Sequence, residues 1–268
     1  MWREYIGGGK ITLIIIMLQE SFRMKIVAFV PMKLNNRRLP NKNTKPFTDG
    51  KPLCHYILST LVGIKEIDKV YAYCSSPGIQ EYLPKGVAYL GRDISLDRDE
   101  TSISSVLCQF AREVPADIYV LAHATAPFLC AASIKRGLEA VSSGGYDSAF
   151  AAKKVQDFLW GDGKPLNYDP ANIPRTQDLP GLYAETSGFY IYRRSVVEEH
   201  GRRVGEKPFL VEVGEIEGID IDREEDFMIA DAVFYYRQKL CGGGYFCKDR
   251  LIYPYGMPSL HEKLGEVA

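Results

Sequence analysis

The chain has 268 residues, with 33 Lys and Arg against 34 Asp and Glu for a net charge of −1. At 46% apolar and 25% charged, it has the composition of one large globular domain or of a domain with an appended lobe. The even charge balance argues against a broad nucleic-acid surface, which needs Lys and Arg clustered across a whole face; the basic residues concentrate locally instead.

Residues 1–23 carry ITLIIIML, an apolar run of eight. That is far below the roughly 20 residues of a membrane span, so the segment reads as an upstream extension, with a signal peptide as the alternative. From Met24 onward, short β-type runs alternate with helix-period segments, the pattern of a mostly parallel sheet covered by helices. The spacing predicts strands at 25–30, 69–75 and 87–90, a helix at 52–62 with Leu53, Ile57, Leu58 and Leu61 on one face, and a helix at 101–114 built on Ile103, Val106, Leu107 and Phe110. A buried strand at 117–123, a helix at 131–142 and a strand at 147–153 continue the alternation.

Residues 157–182 break it. They are rich in Gly and Pro, too polar for core and too long for a plain connector, which is the profile of a lid or a partner-contacting arm. Order resumes with strands at 183–194 and 209–213 around a short helix at 195–200. A last helix starts near Arg223, with Glu224, Glu225 and Asp226 in its first turn, where acidic groups suit the helix dipole. The domain is therefore expected over 24–240, with a peripheral tail at 241–268. Cys54, Cys74, Cys108, Cys130, Cys241 and Cys247 form no close CxxC pair and read as reduced thiols of a cytoplasmic protein.

Two distant stretches carry chemistry. VPMKLNNRRLPNKN at 30–43 gathers Lys33, Arg37, Arg38 and Lys42 with Asn35, Asn36 and Asn43 into a loop stiffened by two prolines, suited to an anion such as a triphosphate. IDIDREEDF at 219–227 sets Asp220 and Asp222 two residues apart at an expected strand end, so both carboxylates share a face. Such a pair suits Mg²⁺, which takes one or two carboxylates and completes its shell with phosphate and water. Asp222 followed by Glu225 also has the spacing of a helix capping box. Together the two stretches point to nucleotidyl transfer, provided that they meet across one cleft.

At 30–43 the chain resembles the N-terminal signature of the CMP-acid-sugar synthetases, in particular the N-acylneuraminate cytidylyltransferases, whose pattern is close to I/V-P-A-R-x-x-S-K-x-L/I-P-x-K-N. Pro31, Pro40, Lys42 and Asn43 are in register. Further landmarks follow in the same order: LGRDISLDRDETSISSVL at 90–107, HATAP at 123–127 for a Q-P-T-S-P turn, ETSGFYIYRR at 185–194 for an E-T-G-x-x-Y strand, and GIDIDREEDF at 218–227 for I-D-I-D-x-x-x-D-F.

The resemblance implies a three-layer α/β nucleotide-binding fold with a small dimerisation arm at 157–182. It also implies Mg²⁺-dependent transfer of CMP from CTP to the anomeric hydroxyl of a sialic-acid-like sugar, and a homodimer. Matched positions put Lys33, Arg37 and Lys42 toward the triphosphate, Asn35 and Asn43 toward phosphate or nucleotide, and Arg92 toward the cytosine. Asp220 and Asp222 fall to the metal, with Asp222 also counted as catalytic. Asn36 and His123, the latter standing for a glutamine, join the nucleotide set, while Lys153, Glu185 and Arg202 are the acceptor-sugar candidates. The chain departs from the pattern where Lys33 replaces an arginine, Arg37 a lysine and Leu129 an arginine. Rival readings are a Kdo synthetase, a sugar-1-phosphate nucleotidyltransferase, and a catalytically silent nucleotide binder.

Overall fold

The computed structural model describes residues 23–240. The expected tail and all but Arg23 of the upstream extension lie outside the described residues. The fold is a three-layer α/β arrangement around a seven-stranded, mostly parallel sheet. In chain order its elements are β1 (Ile26–Met32), α1 (Leu53–Val62), β2 (Lys69–Cys74), β3 (Val87–Gly91), α2 (Ile103–Glu113), β4 (Ile118–Ala122), α3 (Ala131–Ser142) and β5 (Ser148–Val155). Then come the short pair β6 (Trp160–Gly161) and β7 (Lys164–Pro165), followed by β8 (Leu182–Arg193), α4 (Arg194–His200), β9 (Pro208–Glu212) and α5 (Glu224–Leu240).

Alternation along each central strand builds two cores. On β1, Ile26, Ala28, Val30 and Met32 face α1 and α3, while Val27 and Phe29 face α2 and α4. On β4, Ile118 and Val120 take the first side and Tyr119 and Leu121 the second. Strands buried on both faces read as continuous apolar runs, which is why KIVAFV and IYVLA stand out in the sequence. On α2 the predicted stripe of Val106, Leu107 and Phe110 is buried, and Ser102 caps the helix by accepting a 3.2 Å bond from Ser105 N. Helix α3 approaches the sheet closely at Gly137, where a Cβ would stand 2.8 Å from Ile191 Cδ1. A third, smaller core joins α5 to the segment after β1 through Phe47, Tyr56, Phe227 and Phe234.

The strand order is β3-β2-β1-β4-β8-β5-β9. The chain runs outward from β1 through β2 to β3, then returns to place β4 on β1's other side, and all these pairings are parallel. The carboxyl ends of β1 and β4 therefore flank a topological switch point, where open α/β sheets bind ligands. β8 runs antiparallel to both β4 and β5, and β9 is parallel to β5. Consequently the amino end of β8 and the carboxyl ends of β5 and β9 come to the same sheet edge as the carboxyl ends of β1 and β4.

Segment 157–182 is an excursion between β5 and β8 whose strand content is the β6–β7 pair. It turns Trp160 (57% exposed), Leu166 (66%) and Ile173 (63%) outward. The four described cysteines, Cys54, Cys74, Cys108 and Cys130, are free thiols. Among the described residues no helix is long and apolar enough to cross a membrane.

Candidate active site

The basic loop leaves the end of β1 and is moulded by its own side chains. Asn43, buried, donates from Nδ2 to Lys33 O at 2.8 Å, closing the loop on itself. Asn41 takes a left-handed φ of 56°, which asparagine tolerates, at the entry to a short 3₁₀ turn at Lys42–Thr44. Leu39 is sunk into the third core and holds the loop down beside Arg38, which reaches Asp222.

Asp220 and Asp222 belong to an extended segment that pairs with no strand, not to the strand end that the sequence led us to expect. Ile221 between them is fully buried, and its N–H bonds to Thr125 O at 2.9 Å in the turn after β4. That turn follows the strand adjacent to β1, so the carboxylates arrive beside the basic loop. Lys42 Nζ lies 2.9 Å from Ile221 O and 3.2 Å from Asp222 Oδ1, and Arg38 NH1 lies 3.0 Å from Asp222 Oδ2. The two distant stretches meet across one crevice.

The start of α5 differs from the predicted capping box. Asp226, not Glu225, reaches back, accepting from Asp222 N at 3.0 Å and Arg223 N at 2.8 Å. The reason is register: the helix begins at Glu224, so Arg223 is the cap position and Asp226 stands three residues on.

The remaining cations also face carboxylates. Lys33 Nζ contacts Asp99 Oδ1 at 2.9 Å and Asp97 O at 3.0 Å, and Arg37, 84% exposed, contacts Asp99 Oδ2 at 2.7 Å. The hydrogen bond from Lys33 and the charge of Arg37 hold the Asp99 carboxyl below the usual range. Arg92 is only 5% exposed and is held by Asp97 Oδ1 at 2.7 and 3.2 Å, while Ser75 Oγ donates to Asp97 Oδ2 at 2.6 Å. The guanidinium is thus occupied in bracing the 94–99 turn, which in turn fixes Lys33. Asn35 is exposed at the loop tip, and Asn36 Oδ1 is buried without a partner.

On the opposite wall a cavity of about 410 Å³ is lined by Lys153, Glu185, Ser187, Gly218, Asp220 and Asp226, among others. Lys153 Nζ donates to Glu215 Oε2 at 3.0 Å, and its stem lies across Gly218, where a Cβ would sit 2.6 Å from Lys153 Cδ. Glu185 accepts from Tyr190 OH at 2.6 Å, and Arg203, not Arg202, stands over the Tyr190 ring at 3.7 Å and 3.8 Å from Glu185. Arg202 instead pairs with Glu206 on its own loop. Burial and the Glu185 bond push the Tyr190 phenol up to about 12.

His123 joins the two walls. Its backbone N–H donates to Gly188 O of β8 at 3.1 Å, and its ring Nε2 is buried without a partner. Burial, with Arg203 and Lys42 nearby, lowers its pKa to about 4, so the ring is neutral near pH 7. Leu129, at the position of the expected arginine, is part of the core and packs against Gly188.

No cage of three or more His, Cys, Asp or Glu side chains exists among the described residues. The Asp220–Asp222 pair fits a different kind of cation, one that draws most of its ligands from phosphate and water. Asp220 Oδ1 is buried with no partner. Burial, reinforced by the charge of Asp222, pushes the Asp220 carboxyl up, the state that a cation would relieve.

Residues 27–233 match the model of a family described as cytidylyltransferase. The chain belongs to the cytidylyltransferase family. Among its relatives is an N-acylneuraminate cytidylyltransferase from Oncorhynchus mykiss, 29% identical over 236 residues that cover 84% of this chain and 52% of the fish protein. N-acylneuraminate cytidylyltransferase A from Danio rerio is 26% identical over 84% of this chain and 53% of its own length. The chain thus spans about half the length of the curated relatives it matches. Among solved structures, a CMP:2-keto-3-deoxy-manno-octonic acid synthetase complexed with CTP superposes with a TM-score of 0.59 at 16% identity, covering 80% of this chain and 99% of that one. A 4-diphosphocytidyl-2C-methyl-D-erythritol synthase from Anaerococcus prevotii gives 0.55 at 15% identity, covering 79% and 96%. At such identities these likenesses concern the fold.

For this cytidylyltransferase-family chain, motif reasoning did not single out Asp97, Asp99, Arg203 or Asp226 as functional. Asp226 lay within the I-D-I-D-x-x-x-D-F landmark and could have been found there. Asp97 and Asp99 likewise lay within the 90–107 landmark, whereas Arg203 had only proximity in space to mark it.

Proposed function

We propose that the protein transfers CMP from CTP to the anomeric hydroxyl of an acidic, sialic-acid-like sugar and releases pyrophosphate. The observation that carries this reading is the meeting of Lys42 and Arg38 with Asp222 at the switch point, 3.2 and 3.0 Å apart, between a cationic loop and a carboxylate pair. Phosphoryl-type transfer asks a protein chiefly to align the reactants and to neutralise developing charge. Lys33, Arg37 and Lys42 supply the charge for the triphosphate, and Asn35, Asn36 and Asn43 supply neutral donors and shape. Mg²⁺ held by Asp220 and Asp222 would add Lewis-acid neutralisation of the phosphate oxygens.

Arg92 acts on the nucleotide side through the Asp97 turn that carries Lys33, rather than by its own exposed edge. Lys153 and Arg203 are the cations available to an acceptor carboxylate, with Glu185 orienting Arg203. His123, neutral and unpartnered at Nε2, offers one hydrogen bond at the junction of the two substrates. A neuraminate-type acceptor is favoured over Kdo by the sequence relatives, whose names specify N-acylneuraminate. The exposed Trp160, Leu166 and Ile173 on the arm support a homodimer, and the free thiols accord with a cytoplasmic setting.

The test is pyrophosphate release with each of the four nucleoside triphosphates against a panel of acidic sugars, with and without Mg²⁺. Turnover should be confined to CTP with a nine-carbon acidic sugar and should need the cation. CTP binding without turnover on any sugar would leave only a silent nucleotide binder.

A further inference from the structure

Strand β8 is interrupted at the edge of the acceptor cavity. Its pairing with β5 jumps from Phe150↔Tyr190 to Ala152↔Glu185, so four residues of β8 oppose the single Ala151. Such bulges re-aim side chains and recur beside active sites. Both flanks of this one are tied down. Thr186 Oγ1 donates to Ala151 O at 3.2 Å, and Gly188 O accepts the His123 N–H at 3.1 Å. Between them Ser187 adopts a φ of 55°.

Three non-glycine residues of the described chain have positive φ: Asn41, Asp162 and Ser187. Asn and Asp occupy that region readily, whereas serine lacks their ease there and glycine would be free of strain. Packing does not demand serine either, because Ser187 is only partly buried and lines the cavity together with Lys153, Glu185, Asp220 and Asp226. Two residues before it, Glu185 accepts from the phenol of Tyr190 at 2.6 Å. A strained backbone at a cavity wall, held from both sides, needs a reason in the side chain.

We infer that Ser187 determines acceptor selectivity: the bulge presents its hydroxyl to a hydroxyl substituent of the sugar, on the face away from the nucleotide loop. The inference rests on the transferase reading above and adds to it a residue outside the phosphate and metal sets. A hydroxyl that both donates and accepts distinguishes an acceptor hydroxyl from hydrogen at that position.

S187A and S187G separate side chain from backbone, since both remove the hydroxyl and only glycine relaxes the φ. Steady-state kinetics on an acceptor panel, with melting curves of the same proteins, should give a threefold to tenfold rise, roughly, in acceptor KM for both variants. CTP KM should stay put, and S187G should melt about 2–4 °C above S187A. Unchanged acceptor KM in both variants overturns the inference, as does an equal shift in CTP KM, which would mark a structural role. S187G melting no higher than S187A removes the strain on which it was built. A wild type that turns over no acceptor fails the transferase reading itself and takes the inference with it, whereas an active wild type with indifferent variants fails the inference alone.

Discussion

On the basic-loop side of the crevice, Lys33, Arg37, Arg38 and Lys42 all face carboxylates of the same chain: Asp99 for the first two and Asp222 for the others. On the Glu185 side, Glu185 and Arg203 are more loosely paired at 3.8 Å, the strand is bulged, and the neighbouring arm turns Trp160, Leu166 and Ile173 outward. The first wall is organised by the single chain before any ligand arrives. The second is the wall on which a strained serine and an uncovered apolar arm remain. Under the proposed transfer, preorganisation on the first side would suit a constant task, holding a triphosphate, and looser construction on the second a variable one, choosing a sugar.

Four experiments break or sharpen that contrast. Arg92→Ala leaves Asp97 buried without its partner, since the two side chains are 5% and 8% exposed. Losing one member of a buried pair costs about 3–5 kcal/mol, so urea unfolding should register a large destabilisation, and CTP KM should rise as the Lys33 anchor loosens. A surface-like loss below about 1 kcal/mol would mean that the nucleotide wall is not braced from below. Lys42→Ala, at the junction of loop and carboxylates, should lower kcat/KM for CTP by about 10²–10³, or roughly 3–4 kcal/mol. Near wild-type turnover would remove the cation from the reaction.

The arm comes next. If the arm carries the proposed homodimer, Leu166→Asp with Ile173→Asp should shift sedimentation toward monomer, with each position worth roughly 1–3 kcal/mol of association, while the melting temperature of the domain changes little. A dimer that persists would place the interface elsewhere. The smallest effect concerns pH. Folding lowers the pKa of His123 from 6.5 to about 4, so the native state binds fewer protons than the unfolded chain between those values. Its contribution is therefore complete above pH 6.5 and lost as pH falls toward 4, by roughly 1–3 kcal/mol. His123→Gln, which cannot protonate, should flatten the stability profile in that window relative to wild type. An identical slope would show that His123 is not the group responsible.

Element identity could be read from the sequence because periodicity reports how many faces a segment buries: IYVLA is buried on two, and Val106, Leu107 and Phe110 on one. The basic loop and the Asp220–Asp222 pair could be found by residue type and spacing. Direction and pairing could not. Nothing in YAETSGFYIYRR distinguishes a parallel from an antiparallel strand, and that orientation is what brings Glu185 and Ser187 to the ligand edge. Arg202 and Arg203 are adjacent in sequence with the same chemistry; only the turn before β9 decides which one reaches Glu185. In the same way, Asp226 displaced Glu225 as the capping acid through a shift of one residue in where the helix begins.

By itself the sequence determined an alternating α/β chain, a cationic loop and a pair of aspartates, because local residue types set backbone preference, burial pattern and charge. The tertiary structure decided that these parts share one crevice, that Arg92 is spent on Asp97, and that Ser187 is pressed into a cavity wall. Those outcomes depend on strand order and on contacts between residues far apart in the chain, such as Arg38 with Asp222, 184 positions on. Such contacts form only once the sheet has assembled and the cost of closing long loops has been met.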